Sequence, residues 1–199
     1  MKMYHLKQLT SGWGLMVVLC FLAVGSAAAN GESRVRENFS ENWKFHLGDV
    51  AGAEQHKLDD AAWRTLDVPH DWSIEQKLDP NMSYGMTVGY LPGGIGWYRK
   101  SFSIPKEAKG KQVFIDFDGI YMNSKVWVNG HLLGFRPFGY LGFRYDLTPY
   151  LNIGGENVIA VQVDVRPGSS RWYPGAGIYR RVWLTTVNPV HVAHWGHFV

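Results

Sequence analysis

Cysteine is nearly absent from this sequence: Cys20 is the one cysteine in 199 residues. A disulfide scaffold is therefore excluded. Charge of one sign is also lacking, with 20 Lys and Arg against 17 Asp and Glu. The small excess is spread along the chain without forming a basic stripe, which argues against nucleic acid as a partner. The uninterrupted apolar run at residues 15–24 has ten residues, half of the roughly 20 that a membrane-spanning helix needs. Helical periodicity is almost missing, apart from single turns expected around Asp59 to Trp63 and Asp146 to Leu151. No Ser/His/Asp arrangement in a G-x-S-x-G setting occurs. What is present is a globular composition, 46% hydrophobic and 19% charged, rich in Gly (23) and in aromatics, with 9 Trp, 10 Tyr and 10 Phe.

Residues 1–29 read as a secretory signal peptide. Lys2, His5 and Lys7 precede the apolar run, and the small residues Gly25-Ser26-Ala27-Ala28-Ala29 follow it. A buried core helix is the alternative, but no acidic residue precedes Glu32 and the flanks have the polarity of an export signal. Val18-Leu19 stand before Cys20 where a lipoprotein signal carries small residues, so lipid attachment is not expected. Cleavage near Ala29 would start the mature chain near Asn30, periplasmic or extracellular, without cysteine and with a net charge near +1. Such a chain is held by its core alone, which a domain of about 150 residues can provide by burying roughly 70% of its unfolded surface.

The dominant period of the mature part is two. Val113, Ile115 and Phe117 alternate with Phe114, Asp116 and Asp118; Val126 and Val128 alternate with Lys125, Trp127 and Asn129. Ile159, Val161, Val163 and Val165 alternate with Ala160, Gln162 and Asp164. These are strands with one face toward a core. Asn129-Gly130, between two such runs, supplies two positive φ angles for a tight hairpin turn. Further strands are expected at 97–104, 181–187 and 42–47. Many short strands separated by turn signals make the fold class all-β, an antiparallel β-sandwich. Two stretches, 76–96 and 166–177, are glycine- and proline-rich without a period. Long irregular loops at one end of a rigid sandwich are where ligands bind. Aromatic rings beside Arg171-Trp172-Tyr173 suit a sugar, whose C–H face stacks on a ring while its hydroxyls need fixed partners.

These residues carry a resemblance. Asn42-Trp43-Lys44-Phe45, Val68-Pro69-His70-Asp71-Trp72, Gly96-Trp97-Tyr98-Arg99-Lys100 and Phe117-Asp118-Gly119 are its first four pieces. Val126-Trp127-Val128-Asn129-Gly130, Gly155-Glu156-Asn157 and the stretch from Arg171 to Arg180 complete it, in order. Together they make the chain resemble the amino-terminal sugar-binding domain of glycoside hydrolase family 2, in particular its exported Bacteroides-type β-galactosidases. The resemblance implies a jelly roll over residues 30–188, the galactose-binding-domain-like form of the sandwich. It also implies that retaining hydrolysis of terminal β-galactosides is done by two glutamates on a following (β/α)₈ barrel, reached through an immunoglobulin-like domain. Residues 189–199 look like the first strand of that immunoglobulin-like domain, cut off in mid-strand. The expected partners are thus a β-galactoside-containing oligosaccharide or polysaccharide and the other domains of the same protein, with no membrane after signal cleavage.

No catalytic residue is expected in this chain, which alone should be inactive. Asp116 and Asp118, two apart on a strand, lie about 7 Å from one another, near the separation in inverting glycosidases, but alternating acids on the solvent face of a strand are far commoner. His191, His194 and His197 face alternate sides of a strand without an acid or cysteine beside them, so no metal site is expected. Gly175-Ala176-Gly177 lacks the βαβ setting of a dinucleotide fingerprint, and no cofactor is expected. Trp43, Trp127 and Trp183 fall on strands and read as packing residues, while Trp72, Trp97 and Trp172 at loops and strand ends stay open between packing and sugar contact.

The expected substrate-binding residues are Asp71, Trp72, Arg171 and Trp172. Six residues before Gly177, better-known members carry an aspartate that hydrogen-bonds the sugar ring; this chain has Arg171 there. A guanidinium donates and does not accept, so it addresses hydroxyls only as acceptors. Its expected partner is Asp71, with Trp72 or Trp172 as the apolar wall; the alternative leaves Arg171 solvated and Asp71 capping a turn. A β-glucuronidase or β-mannosidase of the same family, or a freestanding carbohydrate-binding module, are the other functional readings.

Overall fold

In the computed structural model the described residues are 33–81, 85–166 and 175–197, so residues 1–32, Arg171 and Trp172 lie outside them. Among the described residues are ten strands: β1 (Arg34–Asn38), β2 (Trp43–Leu47), β3 (Arg64–Leu66), β4 (Gly94–Ser103), β5 (Gln112–Phe117), β6 (Ser124–Val128), β7 (His131–Arg136), β8 (Phe143–Asp146), β9 (Glu156–Val165) and β10 (Val182–Val187). They form two sheets, a four-stranded one in the order β1-β10-β5-β8 and a six-stranded one in the order β3-β2-β4-β9-β6-β7. All strand pairs within them are antiparallel. This is the expected sandwich.

Its core is built by the alternation seen in the sequence. Phe45, Tyr98, Val126, Val128, Ile159, Val161 and Val163 from the larger sheet meet Val113, Ile115, Phe117, Val182 and Leu184 from the smaller. Each such side chain contributes about 1.5–3 kcal/mol when fully buried. Asn129-Gly130 turns the β6–β7 hairpin with φ of 50° and 83°, both positive as a type I′ turn requires. The neighbouring Gly155-Glu156-Asn157 piece has a structural use there. Fully buried Asn157 accepts Asn129 Nδ2 at 2.8 Å and the Asn152 amide at 2.7 Å, while Asn129 Oδ1 accepts the Val158 amide at 2.9 Å.

The middle stretches of β4 and β9 are buried on both faces because residues 48–63 fold back over the outside of the larger sheet. Val50, Ala53, Leu58 and Trp63 cover Trp97, Trp127 and Ala160, and Trp97 stacks on Trp127 at 5.3 Å. Trp97 is therefore a packing residue, its Nε1 donating to Asp49 at 3.0 Å. The same cover encloses Arg99, 1% exposed, whose guanidinium donates to Asp60 Oδ2 at 2.8 Å and to the carbonyls of Ala53 and Gln55.

Asp116 departs from its expected solvent-facing place. It is 6% exposed and held by Arg144 through Nε–Oδ1 and Nη2–Oδ2 bonds of 2.6 and 2.9 Å, with Thr185 Oγ1 as a third donor at 3.1 Å. Asp118 accepts Trp183 Nε1 at 2.9 Å. Both carboxylates serve the outer face of the small sheet. Residues 189–197, expected to open another strand, form no ladder among the described residues; Arg34 Nη2 reaches the Val192 carbonyl at 2.6 Å.

Asp60→Asn would leave the enclosed Arg99 guanidinium without its counter-charge. Stability should fall by about 3 kcal/mol, the lower end for breaking a buried ion pair because Asp60 itself is partly exposed. The midpoint of urea unfolding measures it, with an unchanged slope showing that the fold is retained.

Candidate functional site

The connections β1–β2, β3–β4, β5–β6, β7–β8 and β9–β10 meet at one end of the sandwich and are stitched by main-chain hydrogen bonds. Val68 N donates to Ser40 O at 2.8 Å, His70 N to Ile178 O at 2.8 Å and Trp72 N to Ala176 O at 3.3 Å. Tyr121 and Gly177 exchange bonds of 2.9 and 2.8 Å on the other side of the same segment. Residues 175–179 thus run between 70–72 and 121. Gly177 is needed there: its φ is +112°, and a Cβ would approach the His70 carbonyl to 2.8 Å and the Trp72 ring to 3.1 Å.

Asp71 sits at this end, partly exposed. Its Oδ1 accepts the Ser73 amide at 3.0 Å, which starts a short 3-10 turn at Ser73–Glu75. Its Oδ2 lies beside Gly175, where an added Cβ would come within 3.3 Å. Trp72 does not form the expected apolar wall. It is 1% exposed, stacked on Phe45 at 5.7 Å and pressed against Gly96, whose added Cβ would meet the ring at 2.6 Å. The ring is core because Phe45 and Gly96 close over it, which an irregular loop without alternation does not announce. The Arg171–Asp71 pair and Trp172 fall outside the described residues.

A polar chain that the sequence does not announce lies behind Asp71. The Arg64 guanidinium clamps Glu75 with bonds of 2.9 and 2.8 Å, and its Nη2 is 2.8 Å from His70 Nε2. His70 Nδ1 is 2.7 Å from Tyr98 Oη. Arginine can only donate, so Nε2 is assigned as the acceptor and Nδ1 carries the proton, donating to Tyr98. His70 is then neutral, with its pKa lowered chiefly by burial, against the opposing pull of Glu75. The Arg64 bonds hold the Glu75 carboxyl below its ordinary range, and burial raises the Tyr98 hydroxyl well above its own. Arg64 comes from a three-residue strand and Glu75 from the 3-10 turn, elements too short to leave a periodic signal. Among the described residues no group of three or more His, Cys, Asp or Glu is placed to hold a metal ion. The chemistry on offer is a fixed carboxylate at a loop rim, backed by a rigid neutral histidine.

Residues 37–188 match the family described as "Glycosyl hydrolases family 2, sugar binding domain". The chain belongs to this family. Among relatives of the family 2 domain, the β-galactosidase BoGH2A of Bacteroides ovatus is 52% identical over 83% of this chain and 20% of its own length. A putative β-glucuronidase of Formosa agariphila is 48% identical over 89% of this chain and 17% of its own. The crystal structure of a β-glycosidase from Bacteroides vulgatus superposes with a TM-score of 0.73 at 50% identity, covering 80% of this chain and 21% of that one. The chain thus spans about a fifth of the length of these proteins, and its two sheets are those of the family's sugar-binding domain.

The depressed His70 pKa has a sign. The unfolded chain takes up the proton first, so this contribution to stability is complete above the ordinary value of 6.5 and is lost as pH falls below it through the lower folded value. Thermal midpoints between pH 7.5 and pH 5 should fall on acidification, and His70→Gln should flatten the part of the slope that begins near neutrality.

Proposed function

We propose that this chain is the amino-terminal sugar-binding domain of an exported, retaining exo-β-galactosidase. In this reading it supplies one wall of the pocket, and catalytic carboxylates come from a barrel elsewhere in the protein. The observation that carries the reading is the seat of Asp71: a partly exposed carboxylate, fixed by the Ser73 amide, beside Gly175. A carboxylate accepts hydrogen bonds from vicinal sugar hydroxyls without having to reorganise. Similarity to the Bacteroides ovatus β-galactosidase supports galactose as the sugar. The Formosa relative and Arg171 favour a second reading, β-glucuronidase activity, since a guanidinium matches a uronate carboxylate.

Purified full-length protein should turn over nitrophenyl β-galactoside faster than nitrophenyl β-glucuronide, and the reverse order would select the second reading. The 199-residue chain alone should turn over neither. Arg171→Ala in the full-length protein should lower kcat/KM for the preferred glycoside by about 1–3 kcal/mol of transition-state stabilisation, with the unfolding midpoint unchanged. Unchanged kinetics would remove Arg171 from the site.

Export follows from the residue 1–29 pattern. Mass spectrometry of protein from the native host should find an amino terminus near Asn30, and an intact Met1 in the membrane fraction would refute this.

A further inference from the structure

The cover formed by residues 48–63 stops short of one corner of the larger sheet. There a groove of about 380 Å³ lies open, lined by Asn123, Lys125, Phe135, Gln162, Asp164 and Arg166. These side chains share one face because of register: Lys125 is opposite Phe135 on β7 and opposite Gln162 on β9. From this groove we infer a second glycan-binding site, on the outer face of the larger sheet where it adjoins the loop end that carries Asp71. The inference rests on the reading that the parent protein handles polysaccharide.

Backbone geometry is the first support. Strict alternation along β7 would put Leu132 and Phe135 on opposite faces. A bulge opposite Val126/Trp127 shifts the register, so that Leu132 opposes Trp127, Gly134 opposes Val126 and Phe135 opposes Lys125. The extra residue re-aims Phe135 outward, where it is 51% exposed. A bulky ring is kept out of the core and laid beside polar groups.

Hydrogen-bonding capacity is the second. Gln162 uses Nε2 on Asp49 at 3.3 Å, Asn123 uses Nδ2 on the Asp164 carbonyl at 3.0 Å, and Asp164 uses Oδ2 on Arg166 at 2.8 Å. Gln162 Oε1, Asn123 Oδ1 and Asp164 Oδ1 have no partner among the described residues, and neither has the Lys125 ammonium. Counting the described residues, the groove therefore offers three acceptors and one cationic donor without a partner, beside one aromatic face. That set matches the hydroxyls and C–H face of a sugar ring, and the volume falls within the range of about 300–1,000 Å³ found for ligand clefts.

The test is affinity electrophoresis of the full-length protein through gels containing soluble 1,4-β-galactan, with nitrophenyl glycoside turnover measured in parallel. The wild type should be retarded. Phe135→Ala should weaken retardation at least tenfold in galactan concentration and Lys125→Ala should weaken it too, both with turnover unchanged; Leu132→Ala on the same strand should migrate as wild type. Asp71→Asn should lose turnover and keep retardation. A wild type that turns over the glycoside but is not retarded, or a Phe135→Ala variant retarded like wild type, overturns the groove. Retardation lost with Phe135 in a protein that cleaves neither glycoside supports the groove and overturns the proposed catalytic reading instead.

Discussion

The ladder between β4 and β9 is the constraint on which the other features depend. Ten residues of each strand pair without interruption, from Gly94 with Val165 to Ser103 with Glu156. Its inner face carries Tyr98, Ile159, Val161 and Val163 into the main core. Its outer face carries Trp97, Arg99, Gln162 and Asp164, and this arrangement sets what the covering segment must satisfy. Arg99 can be enclosed only because that segment brings Asp60 and two carbonyls to it. Where the ladder ends, at Gly94 and Val165, the chain joins the connections of the loop end.

Seven strands are legible in the sequence: β5, β6 and β9 from their alternation, β7 from the Asn129-Gly130 turn that separates it from β6, and β2, β4 and β10 as further runs. β1, β3 and β8 were not legible. Arg34–Asn38 is polar apart from Val35, Arg64–Leu66 is three residues long, and in Phe143–Asp146 every side chain stays partly exposed or more. Each is an edge strand, where one-sided pairing needs little apolar pattern. The helical turns expected near Asp59 and Asp146 correspond to a turn closed by Trp63 N on Asp60 O at 3.0 Å and to the 3-10 turn Thr148–Tyr150.

At the loop end, Asp71 caps the turn at Ser73, as the alternative reading of the sequence had it, and Trp72 was misread. Whether a loop tryptophan faces a sugar or the core depends on which glycine lies against it, and Gly96 is 24 positions away. Asp116 was misread for a related reason, since Arg144 reaches it across a strand pair that local alternation does not reveal. The Arg64–Glu75–His70–Tyr98 chain draws on residues from four separate stretches, so it exists only once the sheet and the loops are assembled. Its effect is mechanical: it ties the main chain on either side of Asp71 to β3 and β4.

The bulge in β7 also bears on solubility. β7 is an outermost strand of the six-stranded sheet, and β3 is the other. A long regular rim with Leu132 and Phe135 exposed would invite another molecule's strand to add to it. The bulge breaks the even spacing of that rim, Pro137 follows the strand directly, and β3 offers only three residues. Both rims are therefore poor templates for polymerisation, and a chain without disulfides can keep greasy side chains on its surface without stacking into fibres.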